Sequence, residues 1–219
     1  MKKSLKVEFE GTDGAGKTTA LKYFIEQLQA RGQKVLETRE VGNPHIPICV
    51  KLRETVLAPE SNLSGQAMEL IFSAMRIEND IFYKKVEDQY DFIVSDRGWF
   101  SHLSYTDHNV NKEFTEKLYL DLMQEITALP DIVIYFAVDS ETALKRRVKR
   151  AGVVDVIEMK GTEFQEKVRD SFEDYLGSVE NRSLVFHVDA NDTIEGVRTQ
   201  IDQIVSVLLN LPSSVEANG

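Results

Sequence analysis

Gly11, Gly16, Lys17 and Thr18 stand at the spacing G-x-x-x-x-G-K-T inside Glu10-Gly11-Thr12-Asp13-Gly14-Ala15-Gly16-Lys17-Thr18-Thr19. Residues of these types at this spacing bind phosphate. Successive backbone N–H groups and the N-terminus of the following helix surround the β-phosphate. Lys17 adds a point charge across the β- and γ-phosphates, and the Thr18 hydroxyl is a magnesium ligand. Gly11, Thr12, Asp13, Gly14, Ala15, Gly16, Lys17, Thr18 and Thr19 are therefore read as an ATP site with Mg2+. The pattern names a phosphoryl donor and leaves the acceptor open. Asp13 is not needed for ATP, so its carboxylate is either exposed or accepts a hydrogen bond from a substrate hydroxyl.

Three further groups of residues bear on chemistry. Asp96 follows the apolar run Phe92-Ile93-Val94, the form of a Walker B carboxylate that orients magnesium beside Thr18; the plainer reading is a cap for the next helix. Arg97, next to it, faces the same crevice, and its planar fork suits the oxygens of an acceptor phosphate. Arg146, Arg147, Lys149 and Arg150 close a helix and open into a flexible piece. They complement the helix dipole, or they belong to a lid at about 146–161 that excludes water from the transfer, with Arg146 near ATP. Phe72 and Arg76, four apart on one helical face, fit a base stacked on the ring with a carbonyl read by the arginine. A core aromatic beside a surface arginine is the default for such a pair.

The elements that must position these groups follow from periodicity. Leu5–Phe9 is a strand, and Thr19–Ala30 carries Leu21, Phe24, Ile25 and Leu28 at helical spacing. The strand–loop–helix context makes the glycine-rich pattern a structural claim. Residues 33–38 form a second strand, 46–57 a helix with Arg53, and 64–90 a longer helix with Met68, Ile71, Phe72, Met75 and Ile81 on one face. Strand 91–97 follows, then helical segments at 99–108 and 113–128. Strand 131–138 is the most apolar and is expected at the centre of the sheet. Helix 140–150, flexible segment 151–161, helix 162–179, strand 184–188 and helix 193–209 complete the chain, with Asp192 as the expected last cap. Five strands alternating with helices predict a three-layer α/β fold, a parallel sheet with helices on both faces. A single domain is expected over 1–210, with 211–219 a disordered tail.

Bulk properties narrow the setting. The 219 residues suffice for one such domain with a substantial core. A net charge of −10 argues against a general nucleic-acid binder but not against an enzyme that focuses a few arginines in one cleft. No 18-residue apolar run points to a membrane, and Cys49 is the only cysteine, so a reducing cytoplasm is the expected location.

Taken together these motifs resemble the thymidylate kinase family, P-loop nucleoside monophosphate kinases, to about residue 209. Phe9–Thr19 is similar to that family's loop, which implies that Asp13 contacts the sugar 3′-hydroxyl. Thr38-Arg39-Glu40 resembles its T-R-E-P-G segment, and Lys51-Leu52-Arg53 the helix whose arginine reaches the acceptor phosphate. Leu70–Arg76 looks like L-L-F-A-A-D-R, implying thymine stacking by Phe72 and an O4 contact from Arg76. Asp96-Arg97 with Ser101 and Tyr105 follows D-R-Y-x-x-S-x-x-A-Y-Q, whose tyrosine lies under the deoxyribose and disfavours a 2′-hydroxyl. Gly14 stands where one branch has an arginine, so the resemblance moves the catalytic arginine to the lid, with Arg150 matching.

Five positions depart from the pattern. Val41 replaces the proline of T-R-E-P-G, Gly98-Trp99 stands at D-R-Y, and Thr106 replaces a glutamine near the thymine edge. His102 replaces a small residue, and Val156 an arginine of the lid signature. The resemblance implies transfer of the ATP γ-phosphoryl group to dTMP for dTTP synthesis. Lys17, Arg97 and Arg150 would be catalytic, and Asp13, Arg39, Arg53, Phe72, Arg76, Arg97, Ser101, Tyr105 and Thr106 would bind substrate. Thr18 and Asp96 would hold the metal. A homodimer acting on small-molecule nucleotides is also implied. The departures keep two alternatives open, a kinase for another pyrimidine or modified deoxynucleotide, and a nucleotide-binding paralogue without turnover.

Overall fold

The computed structural model describes residues 3–111, 113–114, 117–118, 130–149, 157, 160–179 and 183–211. Its elements are β1 Leu5–Glu10, α1 Lys17–Ala30, β2 Val35–Arg39, α2 Pro47–Leu57, α3 Gly65–Val86, β3 Phe92–Asp96, α4 Trp99–Asn109, β4 Ile132–Ala137, α5 Ser140–Lys149, α6 Gly161–Val179, β5 Leu184–Asp189 and α7 Ile194–Asn210. The expected helix at 113–128 falls largely outside the described residues, as do Arg150 and Val156.

The five strands form one sheet in the order β2-β3-β1-β4-β5, and every pairing is parallel. The expected three-layer α/β architecture is therefore present. Strand alternation divides the core between the two faces. Val7 and Phe9 of β1 and Ile132, Ile134 and Phe136 of β4 pack with α1 and α7 through Leu21, Phe24, Leu28, Ile201 and Val205. Val133 and Tyr135 face the other way, onto Trp99, Phe100 and Leu103 of α4 and Val168, Phe172 and Leu176 of α6. Glu8 and Glu10 point to this second face, where they reach the start of α4.

Three local expectations are corrected. The middle strand is β1, and the more apolar β4 lies one place to its side. The long helix stops at Val86 rather than Tyr90, because the carbonyls of Glu87 and Tyr90 turn back to accept from the Ser4 hydroxyl before β1. The cap of α7 is Thr193, whose hydroxyl accepts from Gly196 N–H at 3.1 Å, while Asp192 accepts from Thr193 N–H at 2.7 Å. Thr193 has the extended backbone that a cap needs, so the cap sits one residue later than expected.

Candidate active site

The glycine-rich loop leaves β1 and enters α1 through residues with left-handed backbone. Gly11 has φ 137° and Gly14 φ 91°. Neither position has room for a side chain: a Cβ would lie 2.8 Å from the Phe136 carbonyl oxygen at Gly11 and 2.4 Å from that of Ala143 at Gly14. Gly14 is thus the seat of α5 on the loop, which excludes an arginine there. Lys17 Nζ donates to the carbonyls of Gly11 and Thr12 at 2.9 and 2.8 Å, so the ammonium is held across the loop's mouth. Burial, together with the neighbouring Arg97, lowers its pKa to about 8. Thr18 Oγ1 donates to Asp96 Oδ2 at 2.9 Å, with Arg39 Nη2 3.7 Å from the same oxygen. The parallel register of β1 with β3 sets Phe9 beside Asp96 and so aligns the loop with this carboxylate. The N-cap of α4 is Gly98, with no side-chain cap, so Asp96 is not capping that helix.

Arg97 is the hub of the cleft. It sits at φ 71°, a conformation that is uncommon outside glycine and frequent at functional sites. Its Nη1 donates to Gly11 O at 3.0 Å and Ser101 Oγ at 2.9 Å, and its Nη2 to an Asp13 carboxylate oxygen and, at 3.4 Å, to Tyr105 Oη. Asp13 also accepts from Tyr105 Oη at 3.1 Å and Gln165 Nε2 at 3.4 Å. Burial works against the charge on Asp13, but Arg97 and Lys17 outweigh it and hold the carboxyl below its ordinary range. Gln165, brought in by α6, was not foreseen.

Also unforeseen was what holds α4 in place. Its first turn lacks a cap of its own, and Glu8 and Glu10 reach across from β1 to supply one. Glu8 Oε2 accepts from Trp99 N–H and Glu10 Oε1 from Ser101 N–H, each at 3.0 Å, and the Ser101 hydroxyl donates to the other Glu10 oxygen. Carboxylates at a helix N-terminus satisfy orphan donors and complement the dipole. The sequence signal was two glutamates in the strand beside the glycine-rich loop, since interior parallel strands are normally apolar on both faces.

Burial, with Glu40 and Glu10 nearby, raises the Glu8 pKa well above the usual carboxylate value. A carboxyl whose folded pKa is raised stabilises the fold fully below its unfolded pKa and less as pH rises through the folded value. Glu8→Gln keeps the acceptor for Trp99 N–H without that loss. The substitution should leave Tm unchanged near pH 4 and raise it by about 2–4 °C at pH 8, the shift that ~1 kcal/mol gives at this size. Thermal melts across this pH range check it.

Behind Arg97 lies a cavity of about 110 Å³. Phe72, Arg76, Glu40, Val41, Arg53, Leu57, Ser101, His102 and Tyr105 are among its walls. Arg76 lies over Trp99, 4.6 Å from the ring centroid, with Nη1 2.6 Å from Glu40 Oε2 and Nη2 donating to Gly98 O at 3.3 Å. Thr106 does not line this cavity: its hydroxyl donates to His102 O within α4 at 2.7 Å. The loop cavity is larger, about 630 Å³, and takes in Gly14–Ala20, Arg39, Asp96 and Arg146. The two cavities share Asp13, Glu40, Arg53 and Arg97. Of the basic run, Arg146 Nη1 donates to Ala190 O at 2.7 Å. Arg147 acts electrostatically on Asp13, and its Nη1 is buried without a hydrogen bond among the described residues.

The family model for thymidylate kinase matches residues 9–201. This chain belongs to the thymidylate kinase family. It is 29% identical to a thymidylate kinase of Thermosipho melanesiensis, over 93% of this chain and 98% of the relative. A thymidylate kinase of Campylobacter curvus is 30% identical over 91% and 98%, and a probable thymidylate kinase of Methanosphaera stadtmanae 32% identical over 92% and 98%. The expected class, a nucleoside monophosphate kinase of this family, stands. Of the departures from the family pattern, Val41, Gly98 and His102 line the smaller cavity. At Gly98 a Cβ would lie 2.0 Å from Glu8 Cδ, so the tyrosine of D-R-Y has no room and Trp99 follows as the surface under Arg76. In the segment resembling T-R-E-P-G the Glu40–Val41 peptide is cis, and Val41 O accepts from Arg53 Nη1 at 3.0 Å. Among the described residues no helix is long and apolar enough to cross a membrane.

Proposed function

We propose that this chain transfers the γ-phosphoryl group of ATP to dTMP, giving dTDP and ADP, in the service of dTTP synthesis. The observation that carries the reading is the junction of the two cavities at Asp13, Glu40, Arg53 and Arg97. A donor phosphate chain on the glycine-rich loop and an acceptor phosphate from the other side would meet there, between two guanidinium groups. Phosphoryl transfer asks mainly for positioning and charge stabilisation.

In this reading Lys17 and the N–H groups of residues 11–19 hold the donor phosphates, with Arg146 beside them. Arg53, Arg97 and Arg39 orient the acceptor phosphate, Ser101 steadies Arg97, and Phe72 and Arg76 receive the base. Asp13 accepts from the sugar 3′-hydroxyl, and Tyr105 closes the space of a 2′-hydroxyl. Mg2+ fits the corner formed by Thr18 and Asp96, hard oxygen donors 2.9 Å apart, and when bound it neutralises phosphate charge. Residues 146–161 serve as a lid that excludes water, with Arg150 as its catalytic arginine on the family resemblance. A single domain, a cytoplasmic location and a homodimer belong to the same proposal, on the family resemblance.

The reaction is tested by following label from γ-labelled ATP in the presence of dTMP. Label should appear in dTDP; label only in free phosphate would overturn the proposal. Asp13→Ala should raise the dTMP KM at least tenfold and leave ATP affinity within about twofold, because a site built to bond a hydroxyl loses most when that bond goes. Steady-state kinetics with ATP-binding titration checks this, and equal losses toward both nucleotides would mean that Asp13 only holds the loop together.

A further inference from the structure

Asp13 is gripped from a direction that the reading above does not use. Gln165, near the start of α6 and only 6% exposed, meets it at two points. Its Nε2 donates to Asp13 Oδ2 at 3.4 Å, and its Oε1 accepts from the Asp13 backbone N–H at 3.5 Å. The same Oε1 lies 3.5 Å from Tyr105 Oη, which donates to Asp13 Oδ2 at 3.1 Å. Hydrogen bonds of catalytic sites commonly tighten from such lengths when substrate is bound. The helix has little freedom to carry Gln165 elsewhere. Phe164, Val168 and Phe172 of α6 are buried in one cluster with Trp99, Phe100 and Leu103 of α4. The Tyr105 ring lies 6.1 Å from that of Phe164 and 6.4 Å from that of Phe172.

A glutamine amide carries an acceptor and a donor side by side. Only one orientation of it suits this place, with the carbonyl toward the N–H and the NH2 toward the carboxylate. The flipped amide would set donor against donor and acceptor against carboxylate. The clamp therefore fixes the Asp13 side chain relative to its own backbone. It also sets what the carboxylate has left to offer, since two carboxylate oxygens provide about four acceptor sites. Arg97 takes a site on Oδ1, while Tyr105 and Gln165 take those on Oδ2. A single site on Oδ1 remains, enough for one hydroxyl.

We propose that Gln165 is a positioning residue that holds the Asp13 carboxylate with Oδ1 turned to the acceptor's sugar, so that preference for a 3′-hydroxylated acceptor depends on a side chain that acts only through Asp13. Without the clamp, Asp13 keeps its bonds to Arg97 and Tyr105 but loses the tie between its carboxylate and its own N–H. The free Oδ1 site is then no longer aimed in one direction. The inference rests on the proposed contact between Asp13 and the sugar 3′-hydroxyl and deepens it.

The test compares kcat/KM for dTMP and for its analogue lacking the 3′-hydroxyl. Wild type, Gln165→Met, Gln165→Glu, Asp13→Ala and the double variant Gln165→Met with Asp13→Ala are measured side by side, each with a melting curve. Wild type should favour dTMP by roughly tenfold or more, the cost of losing a hydrogen bond to a charged group. Methionine fills a similar volume without the amide. That preference should fall about fivefold, through the KM for dTMP, with kcat and the KM for ATP within about twofold of wild type. Glutamate keeps an acceptor for the Asp13 N–H but sets carboxylate against carboxylate, and should lower the preference further. In the Asp13→Ala background Gln165→Met should add nothing, because a residue acting through another is not additive with it. A folded Gln165→Met or Gln165→Glu that keeps the wild-type preference overturns the inference, and so does a further loss on top of Asp13→Ala. A wild type that treats the two acceptors alike, or phosphorylates neither, defeats instead the reading on which it rests.

Discussion

Lys17→Ala should lower kcat by about three orders of magnitude, at the upper end of what loss of one charge-stabilising donor costs an enzyme. The side chain is only 6% exposed and carries its charge to the mouth of the glycine-rich loop, 2.9 and 2.8 Å from two of the loop's own carbonyls. Water cannot substitute for a charge placed there, and Arg97, whose charge acts on Lys17, is committed to Asp13 and Ser101. The same burial produces a second signature. Desolvation and the charge of Arg97 lower the Lys17 pKa to about 8, with Asp13, Asp96 and Glu10 pulling partly the other way. The cation is the form that holds phosphate, so capture of ATP must weaken as pH rises through that value. In the wild type, kcat/KM for ATP should therefore fall about tenfold for each pH unit above ~8, as expected for loss of one essential proton. In Lys17→Ala the low residual value should be flat over the same range. A wild-type profile level to pH 10 would contradict the account of Lys17.

Arg97→Ala should be as severe, lowering kcat/KM for dTMP by at least a thousandfold, within the range known for arginines on a transferring phosphoryl group. The guanidinium bonds the loop at Gly11, α4 at Ser101, and Asp13 in one fork, so its removal unties the donor side from the acceptor side. Arg97→Lys should recover less than tenfold of the loss, since a single ammonium cannot reproduce a planar fork divided among these partners. The backbone at φ 71° costs about 1–2 kcal/mol for any residue with a Cβ, and alanine keeps that cost while losing the guanidinium bonds that offset it. A melting curve accordingly belongs beside the kinetics, and the lysine variant supplies a comparison with its side-chain charge intact. A loss below tenfold in a well-folded Arg97→Ala would remove Arg97 from the mechanism.

How much of this was legible in the chain differs from residue to residue. The glycine-rich loop could be read outright because its chemistry needs fixed types at fixed local spacing, and the strand and helix around it obey their own periods. Asp96 and Arg97 could be placed because strands of a parallel sheet end together at the ligand crevice. What stayed hidden was contact between distant segments. Glu8 and Glu10 look misplaced in an interior strand until the uncapped start of α4 is set against them. The same pair explains why the most apolar strand, β4, is not the middle one: apolar content reports burial, whereas β1 carries two carboxylates satisfied by backbone donors. Gln165 meets Asp13 only because α6 packs along α4. His102 could be seen as a departure from the family pattern, but its contact with Glu69 could not, since no local rule joins the two.

The central claim is that the two cavities meeting at Arg97 hold ATP on one side and a pyrimidine deoxynucleoside monophosphate on the other. Its most direct test is to supply ATP with a panel of nucleosides and nucleoside monophosphates and to measure the phosphorylated products themselves. The account predicts dTDP as the leading product, with thymidine unreactive because Arg53 and Arg97 require a phosphate to hold. Clear turnover of another acceptor with none of dTMP, or ATP binding with no acceptor turned over at all, would contradict it.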